Sequence, residues 1–288
     1  MQLSTEMLVH LKLTKGIDNL GVWQIIKGLH DFKLNGELTA YEIAELAGLK
    51  KSHWSFITSF NEVEEKDIQF VINTHSLITI YDDFYPPLLK EMYNAPVLLF
   101  YKGNKEFLKL NNLSFVGSRK ATKIGLASCR KLIQELPKHF TIVSGLAKGI
   151  DAMSHKVAVE CGKKTISVIG SGLDVVYPKE NQALFDYLSK EELVISEYLN
   201  GTPPLKHHFP QRNRIIAGLS MGTIVIEAKK RSGSLITCER AMEEGREVFA
   251  VPGEILTGNS NGCHQLIQQG AKCVFSAKDI LSEISLAH

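Results

Sequence analysis

The sequence predicts a doubly wound α/β domain with a mostly parallel sheet, preceded by a small all-helical domain. Three observations carry this. From Leu113 onward seven short apolar, β-branched runs alternate with amphipathic stretches; the first ~75 residues instead show helix-period apolar spacing; and 288 residues, at roughly 150 per domain, make room for two units. A hydrophobic content of 44% is enough to bury a sizeable core in at least one of them.

The helical domain is expected over residues 1–75, punctuated by Gly16, Gly21, Gly28, Gly36 and Gly48. Within LTAYEIAELAGLKKSHWSFI, Thr39 is an N-cap candidate with Glu42 three residues on, followed by an apolar face and a Gly-ended helix. Helix, turn and helix could read DNA. The preferred reading is plainer, because the motif is degenerate: Ile43, Leu46, Leu49, Trp54 and Ile57 build a small core.

Residues 76–104 change texture. Two β-rich runs flank Pro86, Pro87 and Pro96, and prolines exclude a helix, so this is read as a connector carrying two strands that join the following sheet. The second domain is then 76–288, with the boundary somewhere in 70–105. Its seven runs are LSFVG, FTIVSG, TISVIG, LVISE, TIVIEA, EVFAV and KCVFSA, each followed by helical sequence. Continuous apolar strands with right-handed helical crossovers exclude a β-sandwich and place ligands outside the carboxyl ends of the strands.

Charge narrows the ligand. Lys plus Arg less Asp plus Glu is 33 − 31 = +2, so any anion site must be local. No long uncharged apolar stretch and no signal-like N-terminus occur, and five cysteines without a C-x-x-C pair argue against a disulfide framework or a structural zinc site. A cytoplasmic protein is expected, its thiols behaving as small buried hydrophobes, as in AKCVFSA.

The strand ends share one character. Gly117, Ser118, Arg119 and Lys120 follow the first run, Ser144 to Gly149 the second, and Gly170, Ser171 and Gly172 the third. Small residues there let backbone N–H groups and helix N-termini approach phosphate. None matches a P-loop or a G-x-G-x-x-G fingerprint, so no cofactor is expected. Arg119, Lys120, Lys148, Lys179, Arg212 and Arg214 attach to these loops and form a basic stripe suited to a repeating polyanion. A solvated surface charge is the ordinary fate of any one of them, with Arg119 and Arg214 the strongest functional candidates.

Other constellations are weaker. Asp151 and His155 lie four apart and could share a metal, but no third ligand is near, so capping by Asp151 is preferred and no metal is expected. His207 and His208 could touch ligand or form a polar loop. Glu197 and Glu227 end the fourth and fifth runs, where a carboxylate could act as a base or pair with Arg212 or Arg214; pairing is preferred. Ser144 has no recognisable base partner. In the tail, His264, Leu266, Ile267, Cys273, Val274 and Phe275 could form an edge that pairs two subunits or one covered within its own chain.

The strings FVGSRKATKIG, IVSGLAKGIDAMSH, ISVIGSGLDVVYPKEN, ISEY, HFPQRNRIIAGLS, RSGSLITCERAMEEGREVFAVPG and GCHQLIQQGA, in this order across about residues 80–275, resemble the DNA-processing protein A family, also called Smf. The N-terminal part is similar to that family's sterile-alpha-motif-like domain, and YDDFYPPLLKEMYNAPVLLFYKGN to the lead-in of its extended Rossmann fold. The resemblance implies a bacterial cytoplasmic protein of natural transformation that binds and protects incoming single-stranded DNA and loads the RecA recombinase, with no catalytic step. It implies DNA contacts at Gly117, Ser118, Arg119 and Lys120, at Gly145, Lys148 and Gly149, at Gly170, at Lys179, and at Arg212, Asn213 and Arg214. It further implies a homodimer through His264, Leu266, Ile267, Cys273 and Val274, and RecA contact near Met242, Glu243 and Glu244. A winged-helix domain found in many relatives is not expected, since few residues follow Phe275. The rival is a Rossmann-like nucleotide-processing enzyme of the phosphoribohydrolase kind, with Glu197 or Glu227 as base.

Overall fold

The computed structural model describes residues 2–31, 38–50 and 53–284, so Gly36 lies outside the described residues. The chain divides into two compact units, Met1–Tyr85 with Tyr93–Phe100, and Pro86–Met92 with Tyr101–His288.

The first unit contains helices α1 (Thr5–Leu13), α2 (Asn19–Asp31), α3 (Ala40–Leu46), α4 (His53–Glu62) and α5 (Glu65–Thr74). The capping box at α3 forms as read: Thr39 Oγ1 accepts from Glu42 N–H, and Glu42 Oε2 accepts from Thr39 N–H at 2.8 Å. Of the expected core only Ile43 is fully buried; Leu46, Leu49 and Ile57 are half-buried. Trp54 is 77% exposed, whereas Phe56 and Phe60 are buried beside Ile43, because α4 begins at His53 and turns its i, i+4 pair inward. Strand β1 (Leu77–Thr79) pairs antiparallel with the start of β2 (Leu98–Gly103), Leu77 opposite Phe100. The segment leading into β2 is tied to α2: Trp23 Nε1 and Asn19 Nδ2 both donate to Ala95 O, at 2.7 and 2.8 Å. These bonds are why the first unit extends beyond residue 75.

Prolines did not keep the connector free of helix. A single turn, α6 (Pro87–Lys90), begins at Pro87, where the first helical position has no intrahelical N–H bond to lose.

The second unit alternates β3 (Asn111–Val116), α7 (Lys123–Glu135), β4 (Phe140–Ser144), α8 (Ile150–Glu160), β5 (Thr165–Ile169), α9 (Gln182–Glu191), β6 (Leu193–Ser196), α10 (His208–Gly218), β7 (Gly222–Val225), α11 (Gly233–Glu243), β8 (Glu247–Ala250), α12 (Asn261–Gln268), β9 (Lys272–Cys273) and α13 (Ala277–Ile284). All seven expected runs are strands, in the order β6-β5-β4-β3-β7-β8-β9, and each neighbouring pair is parallel. The five-residue strands β4 and β5 are buried throughout, which explains their unbroken apolar reading. One face packs Phe115, Ile142, Ile224 and Phe249 against Ile133, Val157 and Ile280.

The order reverses between β3 and β7. The chain winds outward from β3 through β4, β5 and β6, then returns to lay β7 on its other side. Such a switch point opens a crevice between the two loops leaving adjacent strand ends, which is where open α/β sheets bind ligands. No helix among the described residues is long and apolar enough to cross a membrane.

Candidate nucleic-acid interface

The crevice is a cavity of about 910 Å3, lined by Gly117 to Lys120 after β3, by Lys229 and Arg231 to Ser234 after β7, and by Lys206, Phe209, Arg212 and Asn213 around the start of α10. A chamber of that size is at the upper end of the range of small-molecule and cofactor sites.

Backbone bonds fix its first wall. Ser118 N–H donates to Glu227 O at 2.7 Å, and Ile150 N–H donates to Ser118 O at 3.2 Å. Thr122, the N-cap of α7, donates its N–H and its hydroxyl to the Glu227 carboxylate, the latter at 2.6 Å. The Arg119 and Lys120 side chains are left exposed. The Arg119 guanidinium lies over the Phe209 ring, 5.5 Å from its centroid, and Phe209 meets Tyr177 at 5.6 Å.

The loop after β4 is braced from beneath. Arg212 donates Nη1 to Gly145 O at 2.6 Å and to Val168 O at 2.7 Å; a side chain on Gly145 would overlap that guanidinium. Asn181 Nδ2 donates to Leu146 O, which holds Leu146 at φ 58°, a conformation a non-glycine residue keeps only when its surroundings impose it. Gly149, at φ 78°, lies so close to the first loop that a Cβ would sit 2.2 Å from Ser118 O. Burial raises the Asp151 carboxyl above its usual range against the opposing charge of Arg212, and lowers the Arg212 guanidinium to about 10.

The expected contacts therefore separate into four groups. Gly117, Ser118, Arg119 and Lys120 line the cavity, as do Arg212 and Asn213. Gly145 and Lys148 line a smaller adjoining cavity that shares Arg119, Tyr177, Phe209 and Arg212, and Lys148 pairs with Glu180. Arg214 and Gly170 turn inward. Arg214 Nη2 lies 2.6 Å from both oxygens of Glu197, with both side chains buried, so it joins α10 to the end of β6 and is not open to a phosphate. Gly170 is buried under His208 and Phe209, and its carbonyl lies 3.2 Å from His208 Nδ1. Lys179 is exposed on a single 3-10 turn, Lys179–Asn181, and lines neither cavity.

Tail residues separate similarly. Leu266 and Val274 are buried within their own unit, so neither presents a face to a second copy; Ile267 is half-buried and His264 Nε2 lies 3.0 Å from Gly253 O. Cys273 is exposed on the two-residue edge strand β9, unlike the buried thiols of Cys129, Cys238 and Cys263 and the buried Val274 that follows it. Met242 and Glu243 are exposed at the end of α11 and Glu244 is half-buried.

Neither carboxylate considered as a base lines the cavity: Glu197 holds Arg214 and Glu227 holds Thr122. Asp151 and His155 do not converge on a metal. His155 Nδ1 lies 2.7 Å from Thr165 Oγ1, and no cluster of three metal-ligating side chains occurs among the described residues.

Sequence reasoning missed Lys206, Phe209, Lys229 and Arg231. The signal for the last two was available, since a strand that reverses the winding order returns beside the first strand.

Comparison with known proteins agrees with this architecture. The family model for DNA recombination-mediator protein A matches residues 76–285. DNA processing protein DprA of Streptococcus pneumoniae is 50% identical over 273 residues, 94% of this chain and 96% of that protein, and Protein Smf of Escherichia coli is 42% identical over 73% of this chain and 57% of its own. The crystal structure of the Streptococcus pneumoniae protein superposes with a TM-score of 0.92 at 48% identity, covering 98% of this chain and 99% of the other. DNA processing protein A of Helicobacter pylori, solved for its single-stranded DNA binding mode, superposes with a TM-score of 0.67 at 25% identity over 75% of this chain and 97% of its own. With the model matched over residues 76–285 and half of 273 aligned positions shared with a relative matched over 96% of its length, the chain belongs to the DNA recombination-mediator protein A family.

Proposed function

We propose that the protein binds single-stranded DNA in the switch-point cavity and acts on it as a non-catalytic recombination mediator. One observation carries the reading: Arg119, Lys120, Lys206, Lys229 and Arg231 converge on one cavity beside the exposed ring of Tyr177 and the half-buried ring of Phe209, and none is in an ion pair among the described residues. Cations that lack carboxylate partners are available to phosphates, and Phe209 with Tyr177 offers ring faces to bases. An unpaired strand can present such faces; a duplex keeps them in its own stack. The Helicobacter pylori relative's single-stranded DNA binding supports the choice of ligand.

The finer parts of the proposal follow the family. The protein works in the cytoplasm on DNA entering during natural transformation, protects the strand and loads RecA onto it, with contact through the exposed end of α11 at Met242, Glu243 and Glu244. It acts as a homodimer whose interface includes Ile267 and Cys273, and its helical N-terminal part is a domain separate from the α/β unit.

Fluorescence anisotropy with single-stranded and duplex oligonucleotides across a salt series tests the reading. Three to four phosphates held per chain give a log–log salt slope of about −2 to −3, at about −0.7 per phosphate. Equal affinity for duplex, or a slope near zero, contradicts it.

A further inference from the structure

The switch-point cavity is basic with one exception. Arg119, Lys120, Lys206, Arg212, Lys229 and Arg231 line it, and the single carboxylate among the described lining residues is Asp151. Asp151 is 7% exposed and enters no ion pair among the described residues. Arg212, the cation that acts on it most strongly, is spent elsewhere, giving Nη1 to the carbonyls of Gly145 and Val168.

Support of the loop does not account for the charge. Asp151 Oδ2 accepts from Ala147 N–H at 3.4 Å, a long bond for an ionised acceptor, and a neutral amide or hydroxyl would accept it as well. Burial raises the Asp151 pKa, while Arg212, Arg119 and the positive start of α8 favour the charged form, so at pH 8 the cavity holds one fixed anion among its cations. Such an anion acts on ligands in proportion to their charge. An internal phosphodiester carries one negative charge, and a terminal phosphomonoester carries nearly two at pH 8. Cations alone would hold the more highly charged group more tightly. A cavity of about 910 Å3 at the carboxyl ends of a parallel sheet would then suit a free nucleotide.

We infer that Asp151 is a specificity-determining residue: its carboxylate disfavours doubly charged terminal phosphates more than the singly charged phosphates of a continuous strand, and so keeps free nucleotides out of the cavity. The inference rests on the single-stranded DNA reading and adds to it the class of molecule refused. The same charge loosens the hold on the strand, which a recombination mediator has to give up.

The test uses the full chain at pH 8 and follows a fluorescent oligothymidylate by anisotropy, alone and in competition with thymidine 5′-monophosphate, with a thermal melt of each protein. Asp151→Asn removes the charge and keeps an acceptor for Ala147 N–H. Losing one partly screened unit charge tightens strand binding by about threefold. Twice the charge doubles the energy and squares the factor, so the monophosphate gains about ninefold and advances on the strand by about threefold. A folded Asp151→Asn protein with parental affinity for both ligands refutes the role, as does an equal gain for both. A second measurement needs no variant and decides the matter if Asp151→Asn does not fold. Hexathymidylate with a 5′-phosphate should bind the parent protein no more tightly than hexathymidylate ending in a 5′-hydroxyl, and severalfold tighter binding of the phosphorylated strand overturns the inference. If the parent protein does not bind the oligothymidylate at all, the single-stranded DNA reading itself fails; if it binds and only the Asp151 effects are missing, that reading stands.

Discussion

Replacing Arg119 by alanine isolates the first wall of the cavity. Ser118 is held by backbone bonds to Glu227 and Ile150 that do not involve the Arg119 side chain, so the loop should keep its shape. What disappears is one exposed guanidinium over the Phe209 ring, 5.5 Å from its centroid. Losing one phosphate contact flattens the single-strand salt slope by about 0.7. A hydrogen bond to a charged group contributes about 1.5–3 kcal/mol, and every 1.4 kcal/mol is about tenfold, so affinity should fall by at least about tenfold at moderate salt. Arg119→Lys separates charge from shape: it keeps the slope but loses the planar stack and the fork, lowering affinity only severalfold. Anisotropy titrations across salt, with a thermal melt of each variant, read both quantities. A parental dissociation constant and slope for Arg119→Ala at unchanged melting temperature would refute the assignment of this wall.

Other consequences concern the frame. Gly149→Ala puts a Cβ 2.2 Å from Ser118 O at φ 78°, so it should destabilise by more than about 1 kcal/mol and weaken DNA binding by separating two loops; a normal melt with normal binding would show that their contact is dispensable. Arg214→Ala leaves Glu197 buried without its charge partner, a loss of about 3–5 kcal/mol that calorimetry would register as a large drop in melting temperature. His155 supplies a pH test, since burial, with help from Arg212, lowers its pKa from 6.5 to about 3. The unfolded chain takes up this proton on acidification and the folded chain does not, so stability should fall as pH drops from 6.5 toward about 3, by up to about 1.4 kcal/mol per pH unit. Asp151, whose pKa is raised, works in the opposite sense from 3.8 upward, so melts of His155→Gln beside the parent should show a flatter acid limb; an identical limb would exclude His155 as its source.

The α/β unit was legible because its strands β4 to β7 are buried throughout and therefore read as unbroken apolar runs, separated by helices long enough to cross over. The Thr39 capping box was legible because it is a local bond between neighbours in sequence. Contacts set by tertiary position were harder. Arg212 and Arg214 look like loop cations in FPQRNRIIAG, yet they sit in a buried turn of α10, and the apolar Ile215, Ile216 and Ala217 that follow were the available sign. Lys229 and Arg231 follow the fifth run of the domain, far in sequence from the glycine loops, and only the strand order brings them beside Arg119. Trp54 and Cys273 show the limit of composition: both are apolar, yet the phase of α4 turns Trp54 outward and the sheet edge leaves Cys273 exposed.

Photo-crosslinking of the full chain to a single-stranded oligonucleotide, with the attached peptides identified by mass spectrometry, locates the strand directly. The account predicts adducts at Phe209 and Tyr177 and on the Lys229–Ser234 loop, lost on competition with unlabelled single strand and little affected by duplex. Adducts confined to the helical N-terminal unit, or spread evenly over the surface, would contradict it.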